Sequence, residues 1–106
     1  QKTAYEMEVT LEETDLISYA FSDFEHLLSA AKLLAPYLPE GGRLYFYKNK
    51  YILQIDPVEM QEYGYQSLIA LLSEYGEATS VTTAVLEDYG KVIIADNAIS
   101  ALCTHF

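Results

Sequence analysis

The chain has 106 residues, a formal net charge of −10 and half its residues apolar. That is enough apolar material for one ordinary core and excludes a disordered chain. The acidity excludes nucleic acid as a partner, which needs a basic surface, and likewise excludes binding to anionic membrane surfaces.

The elements in chain order begin with Tyr5, Met7, Val9 and Leu11, which alternate with Glu6, Glu8, Thr10 and Glu12. Period two with one charged face predicts a half-buried strand. Glu13 to Ala20 shows no sustained period and is expected to connect. Ser22-Asp23-Phe24-Glu25 has the S-x-x-E spacing of a capping box. Phe24, Leu27, Leu28, Ala31, Leu34 and Ala35 then recur at helical spacing, up to the restriction imposed by Pro36. Pro39 to Gly42 is a loop. Leu44 to Tyr47 and Tyr51 to Ile55 are aromatic and β-branched runs joined by Lys48-Asn49-Lys50, a tight hairpin in which Asn49 can hold a left-handed backbone.

Pro57 suits the first turn of a second helix, whose stripe is Tyr65, Leu68, Ile69, Leu72 and Tyr75. Gly64 weakens that run by about 1 kcal/mol relative to alanine, so the first turns can form a separate short piece. Gly76 is placed to close the helix. Val81 to Leu86 and Lys91 to Ala95 flank Glu87-Asp88-Tyr89-Gly90 and predict a second hairpin with an acidic tip. Asp96 or Asn97 caps a last helix with Ile99, Leu102, Cys103 and Phe106 facing inward. The order is then β-α-β-β-α-β-β-α. It predicts an α+β domain over residues 1–106, with a mainly antiparallel sheet of about five strands and helices packed on one face.

Little in the chain resembles catalytic machinery. His26 and His105 have no second His or Cys at ligand spacing, so neither a metal nor a cofactor is expected. Gly41-Gly42 lacks the lysine of a phosphate loop, and no serine sits in a G-x-S-x-G elbow. The carboxylate pairs Glu6/Glu8 and Glu12/Glu13 are expected on a solvated face, because paired acids at work need a pocket and raised pKa values. An enzyme is therefore not expected. The single cysteine, Cys103, sits in an apolar helical context and reads as a core thiol, which fits a reducing cytoplasm. No apolar run approaches membrane-spanning length and no secretory signal pattern is present. A first residue of glutamine suggests a piece of a longer protein with its N-terminal region missing.

The acidic tip has two readings from the residues alone. It is a solubilising turn, or a grip for a basic protein surface in which Tyr89 contributes contact area. The ten tyrosines otherwise suit half-buried sheet positions such as Tyr45, Tyr47 and Tyr51.

Several runs, taken in order, resemble the C-terminal domain of the MecA adaptor family (MecA or its paralogue YpbH). They are Phe21-Ser22-Asp23-Phe24-Glu25, Tyr51-Ile52-Leu53-Gln54-Ile55-Asp56, Leu72-Ser73-Glu74-Tyr75, Leu86-Glu87-Asp88-Tyr89-Gly90-Lys91 and His105-Phe106. The resemblance implies a cytoplasmic adaptor that binds the N-terminal and middle domains of the AAA+ unfoldase ClpC, promotes its assembly and targets proteins to ClpC–ClpP degradation. The substrate-recruiting N-terminal domain would lie outside this chain. Carried over by position, the acidic contacts fall on Glu74 and Asp88, with Glu87, Tyr89 and Tyr75 beside them. The family more usually has glutamate at Asp88, and an apolar residue at Ser73. A small-molecule regulatory domain of the ACT-like kind is the alternative, although Glu12 to Asp15 stands where such domains carry a glycine-rich turn. An acyl-transfer or phosphatase enzyme built around Arg43, the only arginine, ranks third.

Overall fold

The computed structural model describes residues 16–61 and 63–106. The strand expected over Tyr5 to Leu11 lies outside these residues. The first described strand is β1, Ile17–Phe21, in the segment expected to connect. Its burial explains the missed period: Ser18, Tyr19 and Phe21 are all buried, so polarity does not alternate with side.

Helix α1 spans Phe24–Leu34. Its cap is Asp23 rather than Ser22, the carboxylate accepting from the Glu25 N–H at 3.1 Å. Leu27, Ala30, Ala31 and Leu34 form its buried stripe. Strands β2 (Arg43–Tyr47) and β3 (Lys50–Ile55) form the expected hairpin, with Lys48 at φ 51 and Asn49 at φ 65. Positive φ at both central residues is the backbone that matches the right-handed strand twist. The second helical region divides at Gly64 into α2, Pro57–Gln61, and α3, Tyr65–Tyr75.

Strand β4, Glu77–Thr79, follows at once, and pairs with β1 rather than with its sequence neighbour. The run Val81 to Leu86 is not a strand, and there is no second hairpin here. Thr83–Tyr89 forms helix α4, then β5 spans Lys91–Ile94 and α5 spans Ala98–His105. The five strands among the described residues lie in the order β4-β1-β3-β2-β5, each neighbour antiparallel.

This α+β fold, with its five-stranded antiparallel sheet, agrees with the fold class expected from the sequence. The longer helices α1, α3 and α5 cover one face. Their buried side chains meet Tyr19, Phe21, Leu44, Leu53 and Ile55 in the main core. Each fully buried Leu, Ile or Phe there contributes about 1.5–3 kcal/mol relative to exposure. α4 departs from the expected layering. Its Leu86 packs on Tyr45 and Ile52, which alternate with Leu44 and Leu53 and so point to the opposite face. Phe106 departs as well: it is 64% exposed, its ring edge-on to Phe24 at 5.0 Å.

Gly76 ends α3, its N–H donating to Leu72 O at 2.9 Å. Its backbone is extended, so the need for glycine is one of space. A Cβ there would lie 2.7 Å from Phe21 Cε2 and 2.9 Å from Ala20 O. Gly76→Ala is therefore expected to push on a fully buried ring and to lower unfolding free energy by about 1–3 kcal/mol, read as a reduced denaturation midpoint with an unchanged urea m-value.

Candidate partner-binding site

The strand register places the two acidic segments at one end of the sheet. Glu77, at the start of β4, pairs with Ala20 near the end of β1. Lys91, at the start of β5, pairs with Phe46 near the end of β2. The β2–β3 turn lies at this same end, since Tyr47 pairs with Lys50. Glu74, two residues before Gly76, and Glu87 and Asp88, just before Gly90, therefore share an end. They stand at opposite edges, because β4 and β5 are the outer strands among the described residues. Four strand spacings separate those edges, about 19 Å. α3 lies on one face and α4 on the other.

Each segment is held by the sheet beneath it. At the end of α3, Tyr19 Oη and Ser73 Oγ form a 3.3 Å hydrogen bond, which ties the last turn to β1. Tyr75 is half-buried, packs against the main core and faces the His26 ring at 6.4 Å between centroids. Glu74 is exposed between these anchored neighbours. At the end of α4 the Gly90 N–H donates to Leu86 O at 2.8 Å. A Cβ at Gly90 would lie 2.8 Å from that carbonyl and 3.4 Å from Phe46 O. Glu87, Asp88 and Tyr89 are exposed, Tyr89 to 77%. The expected exposure of these three residues is present, but a helix end provides it, and no hairpin tip does.

Neither helix carries a basic residue in its last turn. Carboxylates there oppose the helix dipole, whose C-terminal end is itself negative, at about 0.3–1 kcal/mol for each such charge. The acids thus make no local contribution to helix stability. They add instead to the negative potential of the unpaired carbonyls.

α4 owes its position to a polar network that the sequence gives little sign of. Gln54 Nε2 donates to Ser18 Oγ at 3.0 Å, Ser18 Oγ donates to Val81 O at 3.2 Å, and Thr83 Oγ1 donates to Gln54 Oε1 at 3.2 Å. Gln54 and Ser18 are buried. The only sequence sign is a glutamine inside the apolar run Tyr51 to Ile55. The helix itself had a legible start in Thr82, whose Oγ1 accepts the Val85 N–H at 3.2 Å, and a legible end in Gly90. β-Branched Val81, Thr82, Thr83 and Val85 favour a strand on propensity, and the cap and Leu86 burial override them.

The remaining candidate chemistry is not brought together. A cavity of ≈ 560 Å³ is lined by apolar and uncharged polar residues, among them Ser18, Tyr19, Gln54, Tyr65, Ile69 and Thr83. Among the described residues, no charged group lines it to hold an amino acid's ammonium or carboxylate. Arg43 lies on a smaller cavity beside Glu40, Asp56 and Asp96, surroundings that repel a phosphate. No cluster of three or more metal-ligating side chains occurs among the described residues, and no described helix is long and apolar enough to cross a membrane.

Solved structures with this architecture define the class. The C-terminal domain of MecA matches with a TM-score of 0.75 at 30% identity, covering 86% of this chain and 97% of that one. The C-terminal domain of YpbH matches at 0.74 and 31%, covering 85% and 97%. A chain of the MecA–ClpC complex studied by cryo-EM matches at 0.71 and 30%, covering 87% and 96%. Among curated proteins, Adapter protein MecA 1 of Halalkalibacterium halodurans is 37% identical over 101 residues, which is 95% of this chain and 50% of that protein. The family described as "Negative regulator of genetic competence (MecA)" matches over residues 1–102. The chain belongs to the MecA family. It spans about half the length of the curated relatives it matches.

A hairpin and a capped helix respond differently to the loss of a threonine hydroxyl. Thr82→Ala is expected to lower stability by about 1 kcal/mol and to speed amide hydrogen exchange over residues 83–86, measured by NMR.

Proposed function

We propose that this chain is the unfoldase-binding half of a cytoplasmic, non-enzymatic adaptor. It binds a ClpC-type AAA+ unfoldase, promotes its assembly and directs proteins to degradation, while a substrate-recruiting region precedes it in the whole protein. One solved relative is a component of a MecA–ClpC complex, which supports the choice of partner. The observation carrying the proposal is the placement of Glu74 and of Glu87 and Asp88 at one end of the sheet, each on a helix terminus whose dipole they oppose. Charge kept where it does not help the fold is charge available to a partner.

The partner surface is basic and reaches across the end of the sheet, over about 19 Å. The N-terminal and middle domains of the unfoldase are the proposed contributors, one to each edge. Exposed ion pairs contribute only about 0–1 kcal/mol each, so the carboxylates set approach and register while apolar contact holds the complex. Tyr89 presents such contact; Tyr75 is largely committed to the core and acts through the position it gives Glu74.

Neutralisation separates folding from binding. Glu74→Gln and Asp88→Asn are expected to leave the thermal midpoint equal or higher, because each removes a charge opposing a helix dipole. Each is expected to weaken binding to the unfoldase several-fold at low salt, with a shallower dependence on ionic strength. Titration calorimetry at two salt concentrations reads both quantities; unchanged affinity in both folded variants would reject these acids as the contact.

A further inference from the structure

Strand β5 continues the surface that begins at Asp88. Among the described residues it is an outer strand, and its central residues Val92 and Ile93 are 51% and 45% exposed. Tyr89 precedes them by three and four positions. Between Leu44 and Tyr45 the β2–β5 register shifts, so that Leu44 pairs with Ile94 and Tyr45 with Val92. That irregularity leaves Ile93 unpaired in the ladder. Val92 shares the side of Tyr45, the face on which α4 lies. Tyr89, Val92 and Ile93 are thus three exposed apolar residues in one short stretch at this edge, the β5 ridge, with Glu87 and Asp88 at its head.

An exposed apolar outer strand is a liability that proteins ordinarily blunt. Lys91 is the only charge on β5. Of the other exposed apolar residues, Val58 is in α2, after the opposite end of β3, Tyr37 and Tyr63 pair their rings at 6.2 Å, and Phe106 packs edge-on to Phe24.

We infer that the β5 ridge is the apolar half of the partner contact, docking a protein segment that carries apolar side chains next to a basic one. The inference rests on the adaptor reading and names where its affinity resides. Charge complementarity selects the occupant: the basic group meets Glu87, Asp88 and the carbonyl end of α4, while its apolar neighbours cover Val92 and Ile93.

The test compares the wild-type chain with Val92→Thr/Ile93→Thr, which keeps β-branched side chains in the strand, and with Val58→Ser as an exposed apolar control. Affinity for a ClpC-type unfoldase is measured across a salt series, alongside thermal midpoints. The expected result is a loss of about tenfold or more in affinity for the double variant, at an unchanged salt slope, and no loss for Val58→Ser. Asp88→Asn, in contrast, is expected to change the slope. Full affinity in a folded double variant overturns the ridge, while weakened binding in Asp88→Asn would leave the adaptor reading standing. Equal losses in the double variant and Val58→Ser also overturn it. A wild-type chain that does not bind overturns both.

Discussion

Two helices close on glycines at which no side-chain carbon fits, one for lack of space against the sheet and one for lack of space against its own helix. Gly76 lies against the Phe21 ring and the Ala20 carbonyl of β1, whereas Gly90 lies against the Leu86 carbonyl of α4, with Phe46 O of β2 at ordinary contact distance. Both have extended backbones, so glycine is required for proximity rather than for left-handed geometry. The rest of the arrangement follows. At each glycine the chain leaves the helix directly for a strand, α3 into β4 and α4 into β5, so the two strands that are outermost among the described residues start at one end of the sheet. The residues just before each glycine are then carried to that end on rigid supports. These residues include Glu74 in one case and Glu87, Asp88 and Tyr89 in the other.

The two sites differ in how they are secured. The α3 end is anchored in the main core through Tyr75 and through the Tyr19–Ser73 hydrogen bond. The α4 end rests on a smaller apolar cluster of Tyr45, Ile52 and Leu86, and its start on the Ser18–Gln54–Thr83 network. Buried polar groups in that network are satisfied, which fixes one seating for the short helix. A helix of seven residues has little stability of its own. Its presentation of the acidic segment therefore depends on side chains of the sheet.

Much of this was legible in the residues where local signals agreed. The α1 stripe, the hairpin around Asn49, the break at Gly64 and the closure at Gly76 all follow from periodicity and special backbone residues. Two places misled for physical reasons. β1 is buried at Ser18 as well as at Tyr19 and Phe21, so it has no alternating pattern. Val81 to Leu86 is rich in β-branched residues, yet a threonine cap and the burial of Leu86 make most of it helix. Glu87, Asp88 and Tyr89 are exposed as the sequence suggests, but a helix end carries them where a hairpin tip is expected. Val92 and Ile93 could not be read as exposed, since strand residues of that kind are ordinarily half-buried and only the order of strands places them at an edge.

A single partner that engages both edges at one end of the sheet would cover both helix ends together. Hydrogen–deuterium exchange of the chain with and without a ClpC-type unfoldase reads both ends in one experiment. The expected result is simultaneous protection over residues 72–79 and 86–94, with little change over Pro57–Gln61 at the opposite end. Protection confined to one edge, or centred on Pro57–Gln61, would contradict it.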